Sequence, residues 1–251
     1  MAGRCDHCAV PADVEGLSRR PLRMKEVLEK LVGLIPAYFD ALLPLLTGPK
    51  KFAAERLSGN DEAALQKALL FLAVSCLVGW LLETPLMRGD PLLELAAGAV
   101  FTLLGVMGYG AALYLGWRIV GGRAALQKFL TIHFYFAGIL DLLKTAIYLG
   151  MMGTIRAFDP ALYKEIYEAV FSGSFMGFTI KNSERMMATP GIWVTIVGYV
   201  AILLWIYAGW GAYRELNRLS RMRSFAAGLL FLLLCVPVTA LLFFVANALV
   251  K

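Results

Sequence analysis

The sequence predicts an all-α, polytopic integral membrane protein: five transmembrane helices preceded by an amphipathic N-terminal helix. Three observations carry this. The 251-residue chain holds five long apolar runs, at 68–86, 92–117, 129–152, 192–210 and 225–249. Each approaches or exceeds the roughly 20 residues a helix needs to cross the hydrocarbon core. The chain is 59% hydrophobic with a mean hydropathy of +0.69, against about 45–50% apolar residues in a soluble domain, and the excess sits in those runs. Charges gather in the connections between them. Lipid offers no water to bond a bare backbone, so the runs must be helical.

Residues 1–23 read as a flexible lead, with Pro11, Gly16 and Pro21 and no periodicity. They lack the apolar core of a signal peptide, so the first span is expected to direct insertion. Cys5, His7 and Cys8 could supply two or three zinc ligands. A closed structural site needs four, and no second Cys pair or His cluster follows, so neither a metal nor another cofactor is expected. Residues 24–60 form an interfacial segment. Val27, Leu28, Leu31, Val32, Leu34 and Ile35 fall near helical spacing, and Pro36 and Pro44 are expected to break the helix. Such a helix fits the membrane interface or a place on the protein's own loops. A short basic-apolar helix follows over 52–57. Asn60-Asp61 caps the next helix, because a side-chain oxygen there accepts an orphan backbone N–H. Residues 61–251 make up the five-helix transmembrane domain.

Within that domain the second run is rich in small residues. Gly98, Gly105 and Ala112 recur every seven positions, joined by Gly108 and Gly116. Small residues let helix backbones approach closely in lipid, and this face is expected at the centre of the bundle. Gly121-Gly122 reads as a tight turn, since glycine tolerates positive φ. Trp80, Tyr114, Trp117, Trp193, Trp210 and Tyr213 fall near run boundaries, as an aromatic belt would. Between the third and fourth runs, residues 160–171 are amphipathic, with Leu162, Ile166, Ala169 and Val170 on one side. With Phe171, Phe175, Met176 and Phe178 this segment is expected to rest on the outer membrane surface, or to form a partner-binding lid. Pro237 should kink the fifth helix. Cys76 and Cys235, inside spans, behave as small apolar residues.

The loops set the orientation. Lys50, Lys51, Arg56 and Lys67 precede the first run; Arg118, Arg123 and Lys128 follow the second; Arg214, Arg218, Arg221 and Arg223 follow the fourth with only Glu215. Five crossings put these on one side, and Lys and Arg favour the cytoplasm. The long 156–185 loop on the other side is balanced. The N-terminus is therefore expected in the cytoplasm and the C-terminus outside. The net charge of +6 then faces anionic lipid rather than nucleic acid.

One group of residues could carry chemistry. His133, Asp141, Lys144 and Tyr148 lie within about 80° of one face of the third span, at 100° per residue. A charge at a span's centre costs about 2.5–3.5 kcal/mol, which an i,i+3 Asp–Lys pair offsets in part. The face is expected to point inward, as a structural ion pair fixing the helix register or as an ion or proton site. Only one span carries such charges, and no inverted repeat of the transporter kind is visible, which favours the structural reading. Glu83 and Glu94 flank the first outer turn and could pair with Arg88 or face a shallow outer cavity. The familiar hydrolase, metalloprotease, nucleotide and dinucleotide motifs are missing, so no catalytic residues are assigned.

Three stretches together resemble the Yip (Ypt/Rab-interacting protein) domain family, in a bacterial form. They are Thr47-Gly-Pro-Lys-Lys-Phe52, Trp117-Arg-Ile-Val-Gly-Gly-Arg-Ala124, and residues 210–223 with Glu215-Leu-Asn-Arg-Leu-Ser220. The similarity covers about residues 47–248 and implies five spans with the N-terminus inside. The chain departs from the family in three places. His133-Phe-Tyr-Phe-Ala-Gly138 lacks an early proline, so a straighter helix is expected. Asn217 stands where the family often has histidine, and the Asp141–Lys144 pair has no counterpart.

The leading expectation is a non-enzymatic scaffold, an organising or accessory subunit of a membrane assembly, in the bacterial inner membrane. Its partners are the lipid bilayer and other membrane proteins or further copies of itself, with no nucleic acid. The rival is a small ion- or proton-coupled transporter or channel using the polar face of the third span.

Overall fold

All regular structure among the described residues is helical. The computed structural model describes residues 24–57, 61–84, 91–171 and 182–249. Its helices are α1 (Met24–Thr47), α2 (Pro49–Arg56), α3 (Asp61–Glu83), α4 (Pro91–Ile119), α5 (Leu126–Phe158), α6 (Pro160–Phe171), α7 (Ser183–Met187), α8 (Pro190–Asn217) and α9 (Arg221–Leu249). Five of them, α3, α4, α5, α8 and α9, are long and apolar enough to cross a membrane. Cys5, His7, Cys8, Asn60, Arg88, Phe175, Met176 and Phe178 lie outside the described residues.

The chain divides between Phe39 and Asp40 into two compact units. In the first, the rings of Tyr38 and Phe39 meet edge to face at 5.8 Å. α1 itself is unbroken: it passes through Pro36 and Pro44, where the sequence predicted breaks. A proline removes one helical hydrogen bond, and beyond Pro44 local bonds close the helix end. Thr47 Oγ1 donates to the Leu43 carbonyl at 2.9 Å, and Gly48 N donates to the Pro44 carbonyl at 2.9 Å.

In the second unit α5 is the organising helix. Its 33 residues extend about 50 Å at 1.5 Å per residue, well beyond a hydrocarbon core of about 30 Å. It packs along α3 and α8 and carries α6 near its C-terminal end, whereas α4 packs chiefly against α9. Large residues explain its place. Phe129, Ile132, Phe134, Tyr135, Phe136 and Ile139 are all buried within its first four turns, and they meet neighbours on several sides.

The small-residue face of α4 therefore lies elsewhere than predicted. A Cβ on Gly108 would stand 2.9 Å from Val238, and one on Gly116 would meet the backbone of Ala227 at 3.0 Å. A Cβ on Gly105 would lie 3.9 Å from Leu242, Ala112 is buried, and a Cβ on Gly98 would meet no other element within 4 Å. The seam from Gly105 onward serves a close α4–α9 contact, and the seven-residue register does not extend to Gly98. Small residues mark where two backbones approach; the helix with the most bulk to bury takes the middle.

Aromatic residues close one end of the bundle, the Arg-rich end where α4 turns into α5 and α8 into α9. Trp117 is fully buried and Tyr213 nearly so. Their rings stack at 6.2 Å, and Tyr213 also meets Phe129 at 5.2 Å and Phe136 at 5.4 Å. These two residues are core, not the interfacial belt the sequence suggested. They sit where α4, α5 and α8 converge, so the rings find each other before they find headgroups. Trp193, 63% exposed, does fit a belt.

Asn217 fastens the two turns at this end. It is 0% exposed. Its Nδ2 donates to the Tyr213 carbonyl at 2.9 Å, and its Oδ1 accepts from Ala124 N at 3.3 Å. Gly121 takes φ +92°, as the glycine pair predicted. Gly122 has no room for a side chain: a Cβ would fall 2.5 Å from Asn217 Oδ1 and 2.7 Å from the Trp117 carbonyl.

At the opposite end α5 continues to Phe158, six residues past the end of its apolar run. α6 lays Leu162 and Ile166, both fully buried, against Met152 and Ile155, and Met186 of α7 completes the cluster. The apolar face of α6 is thus spent on the protein itself rather than on the membrane surface. The extension of α5 beyond the run supplies the surface that covers it.

Candidate functional site

The polar face of α5 is where the chain places charge in the middle of a span. A span of α5's length tolerates buried aromatics easily and ionised groups poorly, so each polar group there requires a partner. Asp141 and Lys144 find each other, with Nζ 3.4 Å from Oδ1. The i,i+3 spacing makes them neighbours on one helix surface. Asp141 also reaches α3, where its carboxylate lies beside Gly79 and close to the Cys76 thiol.

Three α3 residues shape this contact. Cys76, Gly79 and Glu83 are three and four residues apart and so share one helix face. A Cβ on Gly79 would lie 3.1 Å from Thr145 Oγ1 and 3.4 Å from Asp141 Oδ2. The glycine thus makes space for two polar side chains between the helices. Thr145, itself buried, donates its hydroxyl to Glu83 Oε1 at 2.8 Å. Glu83 is therefore not a separate outer carboxylate. It ends a polar strip that runs Asp141–Lys144–Thr145–Glu83 along the α3–α5 seam.

The predicted foursome separates. His133 Nε2 lies 2.9 Å from the Val106 carbonyl of α4, and a carbonyl only accepts, so the ring donates. Gly110 permits the approach: a Cβ there would stand 2.7 Å from the imidazole. His133 pins α5 to α4, about 12 Å along the helix from Asp141 at 1.5 Å per residue. Tyr148 packs against the Met152–Ile155 cluster beneath α6. Common azimuth did not make one site, because α4, α3 and α6 each cover a different level of the same face. Glu94 belongs to the first turns of α4, and its side chain lies outside what is described.

Lys144 departs from the predicted inward orientation. Its side chain is 59% exposed, against 23% for Asp141. A helix periodicity can show that residues share a face; it cannot show whether a neighbour covers that face at a given height. Cys76, Gly79 and Thr145 belong to the strip but were not singled out from the sequence. The Cys76–Gly79–Glu83 spacing was the available signal, opposite a helix already carrying charge.

At the far end of α5 a second polar cluster lies outside the membrane-spanning segment. Arg185 grips Asp159 with Nε and Nη2, both at 2.9 Å, and Glu165 with Nη1 at 2.9 Å. Asp159 also caps α6, accepting from Leu162 N at 2.9 Å. The guanidinium bonds, with this amide, hold the Asp159 carboxyl below its ordinary range, and the two carboxylates raise Arg185 in return.

Among the described residues no three His, Cys, Asp or Glu side chains gather as a metal would require. No known protein family, curated protein or solved structure matches this chain.

Proposed function

We propose that this protein is a non-enzymatic scaffold or accessory subunit of a larger membrane assembly, Yip-domain-like in its arrangement of spans. The observation that supports this most is Lys144: an amine more than half exposed at the middle of the longest span. Left to hydrocarbon it is costly. Covered by a neighbouring membrane protein or a second copy of this chain, it becomes a polar contact that lipid cannot offer, and Asp141 holds it in place. The basic loops favour an N-terminus in the cytoplasm and a C-terminus outside, in the bacterial inner membrane.

Native mass spectrometry of gently solubilised protein tests the reading. An oligomer or hetero-complex is expected, and Lys144→Leu should release it while the variant still folds. A strict monomer with no co-purifying protein would count against it.

A second reading has its own observation. The Glu83–Thr145 bond carries the polar strip from mid-span to the end of α3, as a short ion or proton path would. It predicts flux in reconstituted liposomes that Asp141→Asn abolishes with folding intact. Wild-type liposomes that stay tight across a broad ion panel would remove it.

A further inference from the structure

Six arginines lie at the Arg-rich end, on two turns almost a hundred positions apart in sequence. Arg118 and Arg123 flank the α4–α5 turn; Arg214, Arg218, Arg221 and Arg223 flank the α8–α9 turn. Asn217 fastens the turns to each other through Ala124 N and the Tyr213 carbonyl. The cations were legible along the chain, but the fastening of their turns was not.

Among the described residues, three carboxylates near these turns pair with lysines. Glu215 binds Lys50 at 2.6 Å, Asp61 binds Lys128 at 3.5 Å and Glu55 lies 3.9 Å from Lys51. None of the six arginines has a carboxylate partner there. Two of them converge on one feature. Arg118 Nη1 donates to the Gly122 carbonyl at 3.2 Å. Arg223 Nη1 stands 3.9 Å from where a Cβ on Gly121 would be. The two guanidinium groups thus border the same glycine turn, both on exposed residues. Each has five N–H donors in a fixed fork, and most remain available.

Exposed apolar residues flank these arginines along the chain. Ile119, Leu126, Met222 and Phe225 are 64%, 50%, 79% and 63% exposed beside the arginines. An anion with acyl chains satisfies both surfaces at once; a free anion satisfies only the first. We propose that this face binds the phosphate headgroup of an anionic phospholipid, with Arg118 and Arg223 clasping it over the Gly121–Gly122 turn. Arg fork geometry suits phosphate oxygens, and clustered basic residues beside spanning helices attract anionic headgroups. The inference does not depend on the assembly proposed above.

Native mass spectrometry of the full chain released from nanodiscs of mixed phosphatidylglycerol and phosphatidylcholine gives the test. Wild type should retain phosphatidylglycerol selectively. Arg118→Gln with Arg223→Gln should weaken retention about thirtyfold, as loss of two surface cations implies. Arg123→Gln with Arg221→Gln, which alters no hydrogen bond within the protein, should weaken it less and guards against misfolding of the first pair. Arg156→Gln, at the opposite end of α5, should change nothing. Equal retention of both lipids, or full retention by both double variants, overturns the proposal. Displacement of the lipid by excess inorganic phosphate would assign the site to a soluble anion and overturn the lipid as its ligand.

Discussion

The first four turns of α5 and the stretch from Asp141 onward solve the same problem in opposite ways. Near its start, α5 is sealed: aromatic rings cover it, and the polar atoms of His133 and nearby Asn217 end on backbone groups. Beyond Ile139 the helix carries ions instead, and one of them, Lys144, is left open. A backbone group satisfies a neutral side chain without leaving a charge in lipid. An ion pair in lipid retains a cost that only further contacts reduce. The sealed half therefore accounts for stability, and the open half is where the proposed partner would gain a contact.

Substitutions should divide along the same line. The largest effect is expected in the sealed half. Trp117→Ala removes a fully buried ring from the stack with Tyr213 and should cost about 3–5 kcal/mol, read as a lower midpoint in thermal unfolding in detergent. Asn217→Ala comes next. It strands Ala124 N and loses the Tyr213 bond, for about 2 kcal/mol. A neutral result would show that the two turns hold together without their fastening. Thr145→Val probes the open half. Its loss of one bond to Glu83 should cost about 1 kcal/mol, and a larger loss would move the polar strip into the sealed class.

The smallest effect belongs to the Arg185 clasp. Asp159 is held below its ordinary value of 3.8. The stabilisation linked to that shift is complete above 3.8 and is lost as pH falls through the lower folded value. Wild type should therefore lose thermal stability in that acid window more steeply than Arg185→Gln. Parallel pH profiles would show that the clasp contributes nothing, which is common for exposed ion pairs.

Much of the fold was open to reading in one dimension. The five spans, the glycine turn at 121–122 and the amphipathic α6 all follow from runs and spacings. Helix ends were less legible. α5 continues six residues past its apolar run, because α6 and α7 cover turns that hydropathy assigns to water. The candidate site was half legible. Asp141 and Lys144 stand out as charges in an apolar run, and their spacing implies their pairing. Thr145, Cys76 and Gly79 do not stand out, since such residues are ordinary in any span.

Order and composition along the chain suffice for the solvent of each segment, because transfer into hydrocarbon depends on the side chains themselves and on the helix that closes their backbone. They do not suffice for which helix occupies the middle, where the glycine seam points, or how many levels share one face. Those depend on side chains distant in sequence filling the same space. Gly110 admits His133, Gly79 admits Asp141 and Thr145, and Asn217 draws two arginine-bearing turns together. Each is a contact between helices, and periodicity within one helix carries no record of its neighbours.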